Sequence, residues 1–142
     1  MQTCGVYATE SDLFVVSMAK TVPGFELDVE PMFKTSRKDQ AAAIGQLVVA
    51  ALDSYREGVP APDPRGKVPS PLLQFAGFRS WKALEKAALN VLISRNGARV
   101  TVMPTARQPR GGYAHKPDLA ISATAEPGAI GQAVEKALSL SA

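Results

Sequence analysis

Histidine and cysteine each occur once in this chain of 142 residues, and their scarcity removes most of the chemistry a small protein can carry. A single cysteine, Cys4, excludes an internal disulfide framework and any zinc site built from several thiolates. The single histidine, His115, has no carboxylate close before it, and Asp118 beyond Pro117 reads as a strand-entry residue. A Cys4–His115 nucleophilic pair has no local support, and scattered carboxylates cannot complete a metal site around one imidazole. No Gly-x-Gly-x-x-Gly or Walker pattern occurs. The expectation is a protein without catalytic residues, metal or cofactor.

Long apolar runs are lacking too. Residues 41–52 are interrupted by Gly45 and Gln46 and fall short of the ~20 residues that span a bilayer. Residues 1–10 contain no basic region leading into an apolar stretch, so a cytoplasmic protein without membrane contact is expected.

What is present fits one ordinary domain. Hydrophobic residues make up 46% and charged residues 20%, and a chain of this length buries roughly 68–70% of its unfolded surface without staples. The net charge of +3 hides an asymmetry. Residues 1–30 hold Glu10, Asp12, Glu26, Asp28 and Glu30 against Lys20 alone, whereas residues 95–116 hold Arg95, Arg99, Arg107, Arg110 and Lys116 with no acid. Such a bipolar surface suits a protein partner or a polyanion.

The chain also matches itself. Residues 43–52 (AIGQLVVAAL) align with residues 129–138 (AIGQAVEKAL), and both place apolar residues on one helical face. The stripe is Ile44, Leu47, Val48, Ala51, Leu52 and Tyr55 in the first and Ile130, Ala133, Val134, Ala137 and Leu138 in the second. Ser36 and Asp39 resemble a capping box for the first helix, and Pro127 suits the first turn of the second. Gly45 and Gly131 share a register, and a glycine that costs a helix roughly 0.5–1 kcal/mol implies close backbone packing on that face.

Strand-like runs precede each helix: residues 4–8, 13–19 and 25–29, then 89–94, 99–103 and 118–122. Asn96-Gly97 is a strong hairpin signal, and the alternation in residues 25–30 sets three carboxylates on one exposed face. The chain therefore reads as a single α+β domain over residues 1–142, made of two βββα-like units (1–56 and 72–142) with helices packed on antiparallel or mixed sheet. Residues 57–71 hold five of the 11 prolines and join them as an extended connection. Strand order stays open, as one continuous sheet or two facing ones. Phe75, Phe78, Trp81 and Leu84 read as core anchors of a short helix capped by Ser80.

Residues 103–116 form the most unusual stretch, long and basic with many turn residues. Arg107, Arg110, Tyr113, His115 and Lys116 are candidate partner-binding residues there. They fit phosphates with Tyr113 stacking on a base, carboxylates of a protein, or no partner at all. The acidic set Glu10, Asp12, Glu26, Asp28 and Glu30 is the rival contact surface, since carboxylates on strands and turns can mimic a nucleic-acid backbone.

The run Phe78-Arg79-Ser80-Trp81-Lys82-Ala83-Leu84, a strand hairpin, a variable loop, another strand and the closing residues 131–138 (GQAVEKAL) resemble the CdiI family of contact-dependent growth inhibition immunity proteins. In that family a Trp in a Ser-Trp-x-x-Leu turn precedes the hairpin, and the last helix opens with a Leu-Gly or Ile-Gly pair. The resemblance spans residues 77–142 and is echoed in 37–56. It implies a cytoplasmic, non-catalytic protein that binds one-to-one the C-terminal toxin domain of a CdiA effector, a nuclease in many systems and in some a tRNase. Trp81, Gly45 and Gly131 carry the fold pattern and not the contacts. Among contact surfaces the basic loop is the better match to a toxin bearing carboxylates, with Arg and Tyr as hot spots. The alternative is a small nucleic-acid-binding module using residues 95–116, whose affinity would fall steeply with salt. A small enzyme using Cys4 or His115 is the third reading.

Overall fold

Residues alternating along each strand divide between two faces of one sheet, and each face has its own helices. The computed structural model describes residues 1–62 and 70–142. The first three strands are β1 (Gln2–Ala8), β2 (Asp12–Thr21) and β3 (Glu26–Ser36), followed by helix α1 (Ala41–Asp53) and strand β4 (Arg56–Val59). Two short helices follow, α2 (Pro71–Ala76) and α3 (Trp81–Ala87). Strands β5 (Leu89–Asn96), β6 (Arg99–Arg107), β7 (Tyr113–His115) and β8 (Ile121–Thr124) lead into helix α4 (Pro127–Leu140).

The strands form a single sheet in the order β3-β2-β1-β5-β6-β7, with β8 also on β6 and β4 on β2. All pairs are antiparallel except β2–β4. The α+β class is therefore present as one continuous sheet, three strands leading into α1 in the first half and four into α4 in the second, and β1 and β5 pair at its centre. Asn96-Gly97 makes the β5–β6 hairpin, with Gly97 at a φ of 62°.

Cys4, Val6 and Ala8 of β1, Leu13 and Val15 of β2, Val91 and Ile93 of β5, and Val100 and Val102 of β6 point to one face. There they meet Ile44, Val48, Ala51 and Leu52 of α1 and Ile130, Val134, Ala137 and Leu138 of α4. The two helices cross at their first turns. A methyl group on Gly45 would fall 2.7 Å from the Pro127 Cα, and one on Gly131 equally close to the Ala41 Cα. The shared glycine register is thus the crossing point of the two copies.

Tyr7, Phe14 and Val16 point to the opposite face and meet Leu72 of α2, Leu84 of α3 and Ala88. Ser80 caps α3, its hydroxyl oxygen accepting from the Ala83 N–H, and Pro127 sits in the first turn of α4.

Several local expectations are corrected. Ser36 ends β3 and the N-cap of α1 is Gln40, which makes no side-chain cap bond. Ser36 and Asp39 build the preceding turn instead, accepting from the Lys38 and Gln40 N–H groups. The third strand of the second half is not residues 118–122: Pro117–Leu119 is a 3-10 turn, and strand pairing is split between β7 and β8. Proline at the start of a turn and the Gly-rich approach to Tyr113 explain that split. The connection 57–71 begins as strand β4 and ends at the first residue of α2; its middle, residues 63–69, lies outside the described residues.

Candidate functional site

Of the residues 103–116, the central part is a folded hairpin. Its turn is closed by the Gly111 N–H donating to the Gln108 carbonyl and the Gln108 N–H donating to the Gly112 carbonyl. Gly111 and Gly112 have φ values of 99° and 83°, a backbone that other residues rarely adopt. Three bonds tie the hairpin to α3 and the residue after it. The Gly112 N–H donates to the Glu85 carboxylate, while Arg107 Nε (3.3 Å) and the Tyr113 hydroxyl (3.0 Å) both donate to the Ala88 carbonyl.

Between α3 and this hairpin lies an open cleft of about 530 Å³. Lys82, Glu85 and Lys86 line it from α3 and Arg107 and Arg110 from the hairpin, with Trp81 at its border. Lys82 and Lys86 stand one helical turn apart and so share a side of α3. Four cations and one carboxylate make a strongly positive hollow.

Trp81 corrects the expectation that the aromatic group anchors the core, since it is 43% exposed and Phe75 is 44% exposed. Helix α3 has two turns only, and Leu84 with the cap Ala88 already fills its inward side. Phe78 packs partly against that cluster, and Phe75 meets Phe14 edge-on at 6.0 Å.

The sequence candidates separate accordingly. Arg107 and Arg110 line the cleft. Tyr113 does structural work: its ring meets Tyr7 at 6.1 Å, and burial pushes its phenol up to about 12. Lys116 Nζ donates to the Leu140 carbonyl at the end of α4, and His115 is exposed on β7 opposite Thr105. Cys4 is fully buried in the α1/α4 core, where desolvation pushes its thiol far up, so no Cys4–His115 pair forms.

Residues 95–116 do not make one basic surface. Arg95 lies on the α1 side, bonded to Asp53 at 2.7 Å and to Gln2 at 3.2 Å. Arg99 and Arg107 share a face of β6 but stand eight residues apart, about 26 Å along a strand.

Nor does the acidic set converge. Glu10 and Asp12 lie at the β1–β2 turn, where Lys34 approaches Asp12 at 3.9 Å. Glu26 stands opposite Lys20 in the strand register at the other end of β2, about 26 Å away. The face of Glu26 and Asp28 is only partly exposed. Glu26 accepts from the Thr3 hydroxyl at 2.7 Å, and Asp28 takes a long 3.5 Å contact from Tyr7 that desolvation outweighs, raising its carboxyl to about 6. Glu30 is exposed beside Arg56 and Phe75.

Trp81, Lys82 and Lys86 are the cleft residues that sequence reasoning left out as binders. The i, i+4 spacing of the two lysines was the available signal. Among the described residues no group of His, Cys, Asp and Glu could hold a metal ion, and no helix is long and apolar enough to cross a membrane.

No family model matches the chain, and no curated protein matches it in sequence. Solved structures do match in fold. A protein of unknown function from Neisseria meningitidis superposes with a TM-score of 0.79 at 17% identity, covering 99% of this chain and 95% of that one. A chain of the CdiA-CT/CdiI toxin and immunity complex from Yersinia pseudotuberculosis superposes with a TM-score of 0.76 at 16% identity, covering 99% of this chain and 97% of that one. The described residues therefore adopt a fold found in that complex.

Proposed function

We propose that this chain is an immunity protein that binds the C-terminal toxin domain of a CdiA-type effector one-to-one in the cytoplasm and neutralises it, with no catalysis of its own. The observation that carries this reading is the end-to-end fold match to a chain of a toxin and immunity complex. The separated, individually unremarkable positions of Cys4 and His115 agree with a role in binding. The toxin is proposed to be a nuclease, in keeping with the family resemblance of residues 77–142.

Neutralisation by binding requires a complementary surface and no reacting group. The cleft with Arg107 and Arg110 is the proposed contact, and the dispersed acidic residues are not. Tyr113 and Lys116 are proposed to support this contact through their bonds to Ala88 and Leu140, and His115, exposed on β7, is a further proposed contact residue.

The test is growth protection. Cells producing the toxin domain encoded beside this chain should survive only when the chain is co-produced, and the two should co-purify in equal amounts. Toxicity that persists undiminished, with no complex recovered, would refute the reading.

A further inference from the structure

Positive charge is concentrated in the α3–hairpin cleft and left uncompensated there. Among the described residues the ion pairs are Lys34–Asp12 and Arg95–Asp53, so Lys82, Lys86, Arg107 and Arg110 have no salt-bridge partner. The one carboxylate among them, Glu85, accepts the Gly112 N–H and holds the hairpin in place. Like charges gathered in a hollow repel one another, and an incoming anion relieves that repulsion. Beside them the Trp81 indole offers a half-exposed apolar wall.

We infer that this cleft binds a short acidic segment of a protein partner, its carboxylates against Lys82, Lys86, Arg107 and Arg110 and an apolar side chain of the same segment on Trp81. The inference rests on the immunity reading only for the class of molecule that carries the segment. Arginine forks bind carboxylates with directional hydrogen bonds, and a tryptophan that becomes covered on binding is a common energetic anchor.

The confinement of the charge favours carboxylates of a protein over the phosphates of a nucleic acid. A nucleic-acid strand presents a charge at every nucleotide and needs a basic track to follow it. The other basic residues of the segment 95–116 do not extend the cleft into such a track. Arg99 is about 26 Å along β6 from Arg107, Arg95 is paired with Asp53 on the opposite side, and Lys116 is bonded to the end of α4. A hollow of about 530 Å³ accommodates a few side chains of a peptide.

Trp81 is the only tryptophan of the chain, so its emission reports on the cleft alone. The probe is a synthetic decapeptide of Glu and Asp with one central Phe, titrated into the full chain at low salt and again at high salt. Oligothymidylate of ten nucleotides serves as the rival ligand. The peptide should shift the emission saturably, more weakly at high salt. Lys86→Glu and Arg110→Glu, both at exposed positions, should each weaken it by about tenfold while leaving the far-ultraviolet circular dichroism unchanged. Absence of a saturable change, equal binding by both variants, or tighter binding of the oligonucleotide would each overturn the inference. No toxin enters this experiment, so its failure and that of the immunity reading are seen separately.

Discussion

Replacing Gly131 with alanine tests the duplicated helix crossing on which the main core depends. The added methyl would lie 2.7 Å from the Ala41 Cα and closer still to the Ala41 carbonyl. Ordinary carbon contacts lie at about 3.5–4.0 Å, so α1 and α4 must separate by about 1 Å. No rotamer change relieves a clash with backbone. A clash this close with backbone lies at the upper end of overpacking costs, about 3 kcal/mol, and the 0.5–1 kcal/mol that alanine gains over glycine as a helix residue leaves about 2 kcal/mol net. Urea unfolding followed by circular dichroism should show that loss for Gly131→Ala and a similar one for Gly45→Ala, which faces Pro127 across the same crossing. The exposed neighbour Gln46→Ala is the control and should stay within about 0.5 kcal/mol. Because both methyls push the same pair of helices apart, the double variant should lose less than the two single losses together. A neutral or stabilising Gly131→Ala, or strict additivity, would refute the packing argument.

Three further outcomes follow from single side chains. Asp28 has its carboxyl raised from 3.8 to about 6 by desolvation, so the folded state holds a proton that the unfolded state releases between those values. Stability should fall as pH rises from about 4 to about 6 and level off above. Asp28→Asn should flatten that slope in urea midpoints measured across the range, and an unchanged slope would contradict the assignment. Ser80→Ala removes the bond to the Ala83 N–H and should cost about 1 kcal/mol, with Trp81 becoming more accessible to acrylamide quenching. Glu85→Ala frees the hairpin from α3, so trypsin should cut at Arg107 or Arg110 faster than in the parent chain. Equal cleavage rates would show that the hairpin is held by other contacts.

The fold was legible where periodicity and repetition speak for themselves. The matched glycines of residues 43–52 and 129–138 identified two equivalent helices and their close approach, and Asn96-Gly97 marked the central hairpin. Sequence periodicity could not choose between one sheet and two, because pairing of β1 with β5 is a contact between segments more than 80 residues apart. The split of the last strand was hidden because residues 113–124 contain turn formers and strand formers in alternation. For the site, local charge counting found Arg107 and Arg110 but grouped them with Arg95, whose strand parity sends it to the other side of the sheet. It missed Lys82 and Lys86, which join the cleft only because Glu85 and Ala88 hold the hairpin against α3. Spacing reports which residues share a face and so points Trp81 to the core, whereas a two-turn helix that buries Leu84 leaves Trp81 partly uncovered.

The most direct measurement is isothermal titration of the purified chain with a catalytically inactive form of the toxin domain encoded beside it. Tight saturable binding with one chain per toxin domain, weakened by Arg110→Glu, is the predicted result. Absence of heat and of any complex by size exclusion at micromolar concentrations would contradict the account.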